Sequence, residues 1–393
     1  MSLNGKKAQQ ESLEAQLESA IAHSDDEQCL ELMRNLGRLC PDDAEIQHRL
    51  GSVEEQLGTA EKALAAHLCS ISLAPQNPLT YLYSGFCLQQ MGRRDEAIEV
   101  WSLGSDLEPA LLNPPHRNDP TGERLVAAAT ALRKHFSQLH RDSSNTTTPS
   151  HKITGAIWPQ TTDTPFDYQT DQQRPSLFYI PELTARPWHD LQGLRWVEHL
   201  EALSGDIVKE FSDAQGSLHA VCRPYLGVEM KLGPQFTELQ GSLNWTALDL
   251  YRDGKLQSKV AQYFPVTLAA LEQVPLYGMD SLPYEVFFSV LKPGQHIKPH
   301  FGLSNHSLTI HLPLIVPPGC SLTVAGQRRQ WVPGRILAFD DSYIHEAINP
   351  SGEQRVVLIF SIWHPDLSKG ECDAIQRSFT ARAHWLAARQ LPL

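Results

Sequence analysis

No run in this 393-residue chain approaches the ~18 consecutive apolar residues of a membrane span, and the opening stretch MSLNGKKAQQESLEAQ carries no apolar h-region. Basic clusters are missing as well. Arg93-Arg94 and Arg328-Arg329 are only pairs, set against a formal net charge of -12. A surface of that sign does not hold phosphate backbones, which excludes nucleic acid as the main partner. The seven cysteines (29, 40, 69, 87, 222, 320 and 372) are odd in number and never fall in CxxC spacing. They are expected to be reduced, small buried residues. With the missing h-region, this predicts a cytoplasmic protein that has no membrane partner.

What is present is the composition of a soluble globular protein, 41% apolar and 20% charged. The length is too great for one ordinary core and predicts two domains. The first part repeats. Pro41, Pro75 and Pro109 are each 34 residues apart, as are Gly51 and Gly85, Leu57 and Met91, Gly58 and Gly92, Ala63 and Ala97, Leu64 and Ile98, and Leu73 and Leu107. A 34-residue period with small residues where helices cross and Pro closing each unit resembles the tetratricopeptide repeat. Each unit would be a helix–turn–helix that buries its apolar face only against its neighbours. The clear units are 42–75 and 76–109, with 9–40 as a degenerate preceding unit and Leu125 to Leu139 as a capping helix. Such an array is either a concave surface that reads a substrate or partner protein, or a helical spacer.

The stretch from Arg141 to Ser150 is polar, short in side chain and Pro-broken, the composition of a mobile linker. From about Ser176 the period changes. Leu308, Ile310, Leu312 and Leu314 alternate with polar residues at 307, 309 and 311, like a half-buried strand. Short apolar runs between Pro/Gly turns follow, which predicts an all-β barrel or sandwich with the 190–214 segment as helix packed outside it. The expected organisation is α+β and multidomain: a helical repeat domain over 1–140, a linker over 141–175 and a β domain over 176–393.

The chemistry lies in the strands. His300 closes the loop Lys292-Pro-Gly-Gln-His-Ile-Lys-Pro-His300-Phe-Gly302, His345 follows the strand-like run Arg335 to Asp341, and Arg355 opens another apolar strand. Two imidazoles on neighbouring strands can hold divalent iron, and a deeper Arg can grip the far carboxylate of a 2-oxo acid. The common carboxylate ligand two residues after the first His is absent, because that position is Gly302, which leaves room for water. Asp340-Asp341 is expected to orient the turn before His345 by hydrogen bonds rather than to ligate.

Residues 283–366 resemble the catalytic segment of the aspartyl/asparaginyl β-hydroxylase family. The matching segments are Lys292-Pro-Gly-Gln-His296, Pro299-His300-Phe-Gly302, Asn305, His311-Leu312, Gly334-Arg-Ile-Leu-Ala-Phe-Asp-Asp-Ser342, His345-Glu346 and Trp363-His-Pro365. Upstream, Trp245 to Lys255 and Leu177 to Trp188 extend the likeness, so that it covers roughly residues 176–370. The resemblance implies a double-stranded β-helix (a jelly-roll or cupin-like fold) with flanking helices, and Fe(II) and 2-oxoglutarate as cofactors. It implies His300 and His345 as the iron ligands, with no carboxylate ligand, and Arg355 and Ser289 as the grip on the cosubstrate carboxylate. Strand parity turns His311 toward the polar interior, either against the cosubstrate or as a hydrogen-bonded core residue.

The chain departs from the family at Ser307 and Thr309, where the animal relatives carry arginines, one of them facing the acidic substrate side chain. A hydroxyl is no counter-charge to a carboxylate. Thr309 is expected to face substrate, and Arg186, Lys298 or a cation of the repeat domain could take the place of the arginines. The resemblance implies a dioxygenase that hydroxylates an unactivated carbon, such as the β-carbon of an Asp/Asn-type residue in a peptide or protein. Two alternatives stay open: hydroxylation of a free or carrier-bound amino acid or other small metabolite, and an inactive repeat-based scaffold.

Overall fold

The computed structural model describes residues 3–112, 119–144, 150–159, 161, 168–218, 222–230, 233–279 and 282–392. The chain forms two compact units. The first is drawn mainly from Met1–Ser143 and Ser378–Leu393, the second from Ser144–Pro159 and Pro165–Arg377.

The first unit is helical: α1 (Leu3–Ala22), α2 (Asp26–Leu39), α3 (Ala44–Leu57), α4 (Ala60–Leu73), α5 (Pro78–Gln90), α6 (Arg94–Leu107) and α7 (Pro120–Ser144). Short polar side chains start four of them. Asp25, Asp43, Thr59 and Asn77 each accept a hydrogen bond from a backbone amide in the first turn of the helix that follows. The 34-residue period has a direct packing cause. A Cβ placed on Gly51 would lie 2.5 Å from the His67 ring, and one on Gly85 only 2.1 Å from Trp101 Nε1. In each repeat, then, a glycine lets the following helix lay a ring flat on the backbone. Trp101 satisfies its buried indole by donating to the Leu82 carbonyl at 3.0 Å.

The C-terminal segment belongs with these helices. The helix α13 (Lys369–Ala388) brings Trp385 against the rings of His135 and Phe136, at 4.4 and 5.2 Å between centroids. Arg389 then pairs with Asp106 and donates to Ser102. The β domain expected over 176–393 therefore stops short of the C-terminus, because Trp385, Leu386 and Leu391 pack, partly buried, against the apolar cluster of the repeats. Parts of the expected linker (145–149, 160 and 162–167) lie outside the described residues. Elsewhere in 141–175, Ile153, Trp158 and Gln173 are buried, and Ile157 and Gln173 form β-bridges to Tyr179 and Tyr343.

In the second unit a short α8 (His151–Thr154) precedes β1 (Trp188–His189), α9 (Arg195–Ala202), α10 (Ser204–Leu218), β2 (Arg223–Pro224), β3 (Trp245–Arg252) and β4 (Lys255–Leu256). Next come α11 (Ser258–Ala261), α12 (Pro265–Leu271), β5 (Gly278–Met279), β6 (Leu282–Pro283), β7 (Val286–Leu291), β8 (His296–His300) and β9 (Ser307–Ile315). The last strands are β10 (Ser321–Val324), β11 (Gln327–Gln330), β12 (Leu337–Phe339), β13 (His345–Ile348) and β14 (Arg355–Trp363). A major sheet runs β1-β12-β9-β14-β7-β3-β2, with β4 paired to β3, and a minor sheet runs β11-β10-β13-β8. The expected helix over 190–214 is two helices, α9 and α10, meeting at Leu203.

Period two sorts the side chains of the major sheet onto its two faces. Leu308, Ile310, Leu312, Val356, Leu358 and Phe360 pack outward on Leu200, Ile207 and Phe211 of α9 and α10. Trp245, Leu291 and Val357 face the other way and join Ile297, Leu322, Val324 and Ala347 of the minor sheet in a second core. Two facing antiparallel sheets with helices on one outer face match the expected architecture. The turn between β10 and β11 needs two residues at positive φ, supplied by Ala325 (48°) and Gly326 (74°), which sets the Val324–Gln327 register.

Gly85→Ala tests the repeat packing. The added methyl has to displace the Trp101 indole and strain its hydrogen bond, at a cost of about 1–3 kcal/mol. Urea denaturation should show a lowered midpoint, and an unchanged midpoint would remove the glycine–ring contact as the cause of the period.

Candidate metal and carboxylate site

The minor sheet brings the two histidines together. The strands β8 and β13 are antiparallel with His300 directly opposite His345, and a register shift follows between His345 and Ala347. The ring centroids lie 4.1 Å apart. Each ring is fixed by its own chain: His300 Nδ1 donates to the Lys298 carbonyl at 2.8 Å, and His345 Nδ1 to the Tyr343 carbonyl at 2.9 Å. That leaves both Nε2 atoms with their lone pairs, the arrangement in which backbone acceptors set the tautomer of metal-binding imidazoles. Burial, and for His300 also the neighbouring His345, holds both rings down at about 4, so both are neutral bases.

The space expected beside Gly302 is occupied. A Cβ at 302 would stand 2.5 Å from Asp341 Cγ and Oδ1, while the Gly302 amide donates to the Asp341 carbonyl at 2.7 Å. Asp341 thus fills the volume in which a side chain at 302 would begin. Its Oδ2 accepts from Thr309 Oγ1 at 3.0 Å. Burial lifts this carboxyl to about 6, opposed by the Thr309 bond and by His300. Among the described residues, no carboxylate or thiol joins His300 and His345 closely enough to make three ligand atoms within 4.8 Å of one another. Asp340 acts on the turn, as expected. Its carboxylate accepts from the Ser342 amide and hydroxyl and from Gln173, which fixes the chain just ahead of His345.

The major sheet contributes a buried cation, Arg355. The side chain of Arg355 is 1% exposed, and its Nε has no hydrogen-bond partner. No carboxylate lies within ion-pair distance of it among the described residues, and burial lowers its guanidinium to about 10. Its Nη2 lies 3.4 Å from Ser289 Oγ, and the guanidinium rests 5.0 Å above the Trp331 ring. Ser289 also accepts from Trp245 Nε1 at 3.0 Å, which leaves the Ser289 hydroxyl hydrogen free to donate. His311 pairs with Leu337 across β12 and with Ile359 across β14, and is buried. Its Nδ1 accepts from Trp331 Nε1 at 3.2 Å, so that the neutral ring carries its proton on Nε2. Burial, then Arg355 and His345, pushes its pKa well down.

The structure thus brings together His300, His345, Ser289, His311 and Arg355. Thr309 lies beside them but is tied to Asp341, whereas Arg186 and Lys298 are exposed. Sequence reasoning missed the two tryptophans, Trp245 and Trp331, as orienting groups. A signal exists for them, since a buried indole has a single N–H and it must find an acceptor. Asn305 shows why its motif position matters: its amide closes both backbone bonds of Ile180, at 2.8 and 2.9 Å.

Comparison with known proteins accords with this geometry. The chain is 29% identical over 211 residues to human "Aspartate beta-hydroxylase domain-containing protein 1", covering 53% of this chain and 52% of the relative. It is 27% identical over 194 residues to human "Aspartyl/asparaginyl beta-hydroxylase", covering 49% and 24%, and 31% identical over 136 residues to the mouse protein of that name, covering 34% and 18%. The chain therefore spans about half, or less, of the length of these curated relatives. The family model for "Aspartyl/Asparaginyl beta-hydroxylase" matches residues 221–365, a span that contains the histidine pair, Ser289, His311 and Arg355. Over residues 221–365, the span that holds these side chains, the chain is thus similar to the aspartyl/asparaginyl β-hydroxylase family.

Proposed function

We propose that this chain is an iron(II)- and 2-oxoglutarate-dependent dioxygenase that hydroxylates an unactivated carbon, the β-carbon of an Asp- or Asn-type residue in a peptide or protein. The observation that carries this reading is the buried guanidinium of Arg355, which has no carboxylate of its own and faces the same interior as two imidazoles with free Nε2 atoms. A buried unpaired charge is costly, and a ligand carboxylate removes that cost. The donor set fits both cofactors. His300 and His345 would hold the metal ion through Nε2, with Asp341 beside His300 as a neighbouring acid. Arg355, the Ser289 hydroxyl and His311 Nε2–H would hold the cosubstrate carboxylate. Iron(II) with 2-oxoglutarate and dioxygen, when bound, supplies oxidation of a C–H bond, with release of succinate and carbon dioxide. The protein's own part is orientation and exclusion of water: Trp245 and Trp331 fix Ser289 and His311, and Phe339 and Val357 close the interior.

The names of the relatives support an Asp- or Asn-type substrate. One observation favours a second reading. Thr309 is committed to Asp341, so the wall where the animal enzymes have arginines presents an acid instead of a cation. That suits a neutral Asn-type side chain, or a free or carrier-bound amino acid, better than Asp. The reaction would run in the cytoplasm, in keeping with seven unpaired cysteines. No helix among the described residues is long and apolar enough to cross a membrane.

Full-length protein supplied with iron(II) and 2-oxoglutarate should form succinate, and His300→Ala or His345→Ala should abolish it, since a two-ligand site has none to spare. Absence of succinate from the wild-type protein would instead support the scaffold reading. Arg355→Ala should raise the 2-oxoglutarate requirement well over tenfold, because losing one buried charge-assisted pair costs about 2–5 kcal/mol. An unchanged requirement would move the anchor elsewhere. Trp331→Phe frees His311 to change tautomer. It should raise the same requirement more modestly, while iron binding stays as in the wild type. For substrate, mass spectrometry of lysate incubated with the protein should find one added oxygen on Asp or Asn of peptides. Hydroxylation confined to free amino acids would select the second reading.

A further inference from the structure

The helical unit carries another set of metal-type donors, independent of the proposed reaction. Glu55 on α3, His67 on α4 and Cys87 on α5 bring a carboxylate oxygen, a ring nitrogen and a sulfur within 4.8 Å of one another. No other group of three does so among the described residues. Three successive helices of the repeat supply one donor each, so the stacking itself builds the cluster.

A second observation concerns His67. It is completely buried, and neither of its ring nitrogens has a hydrogen-bond partner. Position 101 is its counterpart one period later, packed on Gly85 as His67 is packed on Gly51. There a tryptophan satisfies its only N–H on the Leu82 carbonyl. The His67 ring occupies the same groove without any such bond. An imidazole left unsatisfied in this way keeps an uncompensated desolvation cost that a satisfied or apolar side chain would not carry. Cys87 beside it is also completely buried, and the Glu55 side chain is only 3% exposed.

We propose that Glu55, His67 and Cys87 bind a zinc ion inside the helical array, as a structural site distinct from the His300–His345 pair. Thiolate, imidazole and carboxylate are the donors zinc takes. With metal–ligand bonds of about 2.0–2.3 Å, ligand atoms in a tetrahedral site stand roughly 3.3–3.8 Å apart, so a small inward movement closes this one. The thiolate and carboxylate offer two negative charges to the ion, the carboxylate being shared with Arg124. Arg124 Nη1 holds Glu55 Oε2 at 2.8 Å and orients the carboxylate from outside. The His48 ring lies 5.0 Å from that of His67, and it or a water molecule would supply the fourth ligand. On binding, bonds from zinc to sulfur, nitrogen and oxygen form, and the Cys87 S–H proton leaves to solvent, with no change of oxidation state. Burial raises the Cys87 thiol to about 12 and keeps His67 neutral, so the sulfur is a proton-bearing thiol until a metal takes the proton's place.

The test uses the full chain carrying His300→Ala and His345→Ala, stripped of metal by a chelator, so that the β unit cannot contribute. Zinc titrated against a coloured competing chelator should give one bound equivalent. Cobalt(II) should give the thiolate-to-cobalt charge-transfer absorption of a tetrahedral site. Adding Cys87→Ala should abolish that absorption, and adding His67→Leu, which suits an apolar groove, should weaken zinc binding by at least about tenfold. If Cys87→Ala unfolds by circular dichroism, Glu55→Gln takes its place and should weaken zinc and cobalt binding by at least about tenfold. No bound zinc, cobalt absorption without a sulfur band, or undiminished binding in His67→Leu would each overturn the proposal.

Discussion

The site depends on one register. His300 faces His345 because β8 and β13 pair antiparallel at that position. A slip of one residue would turn one ring to the opposite face of the sheet, since side chains alternate with period two. Several contacts hold the register. The Asp340 carboxylate ties the turn before His345 to Gln173 and Ser342. Beyond β13, the Asn349 amide donates to the carbonyls of Leu291, Lys292 and Glu353, which fixes the connection from the minor sheet to the start of β14. The distance between the histidines and Arg355 is thus set by a buried amide as much as by the sheets.

Polar groups in this interior are arranged so that each orients the next. Trp245 donates to Ser289, Arg355 lies against Ser289, Trp331 lies beneath Arg355, and Trp331 donates to His311. The indoles give up their only protons to Ser289 and His311, whose own hydrogens are left to donate elsewhere. Arg355 is the exception, a buried cation with no partner of opposite charge among the described residues. A buried cation without a counter-charge is a place suited to an anion. Asp341, pressed against Gly302 and bonded to Thr309, gives the neighbouring region an acidic character.

The helical unit follows the same logic of close packing. Glycines 34 residues apart allow rings to lie on helix backbones, and the identity of the ring decides what each repeat does. Trp101 completes its own hydrogen bonding, whereas His67 does not and sits beside Cys87 and Glu55. The C-terminal segment completes this unit rather than the β unit, since Trp385, Leu386 and Leu391 join the apolar cluster of the repeats.

The sequence by itself determined the helical period, the change to alternating strands, and the trio of His300, His345 and Arg355. These are properties of spacing along the chain: a helix or strand sorts its residues onto faces whatever it later packs against. Ser289 was legible only through resemblance, because a lone polar residue on a strand has no local pattern, whereas the parity of its strand already turned His311 to the interior. Tertiary structure alone decided which ring nitrogen each histidine leaves free and which indoles hold Ser289 and His311. It also decided that Asp341, 39 positions beyond Gly302, fills the space a side chain there would need. The same holds for the return of residues 378–393 to the repeats and for the meeting of Glu55, His67 and Cys87. Each of these joins residues remote in sequence, whose proximity comes from packing of finished elements, and no periodicity along the chain encodes it.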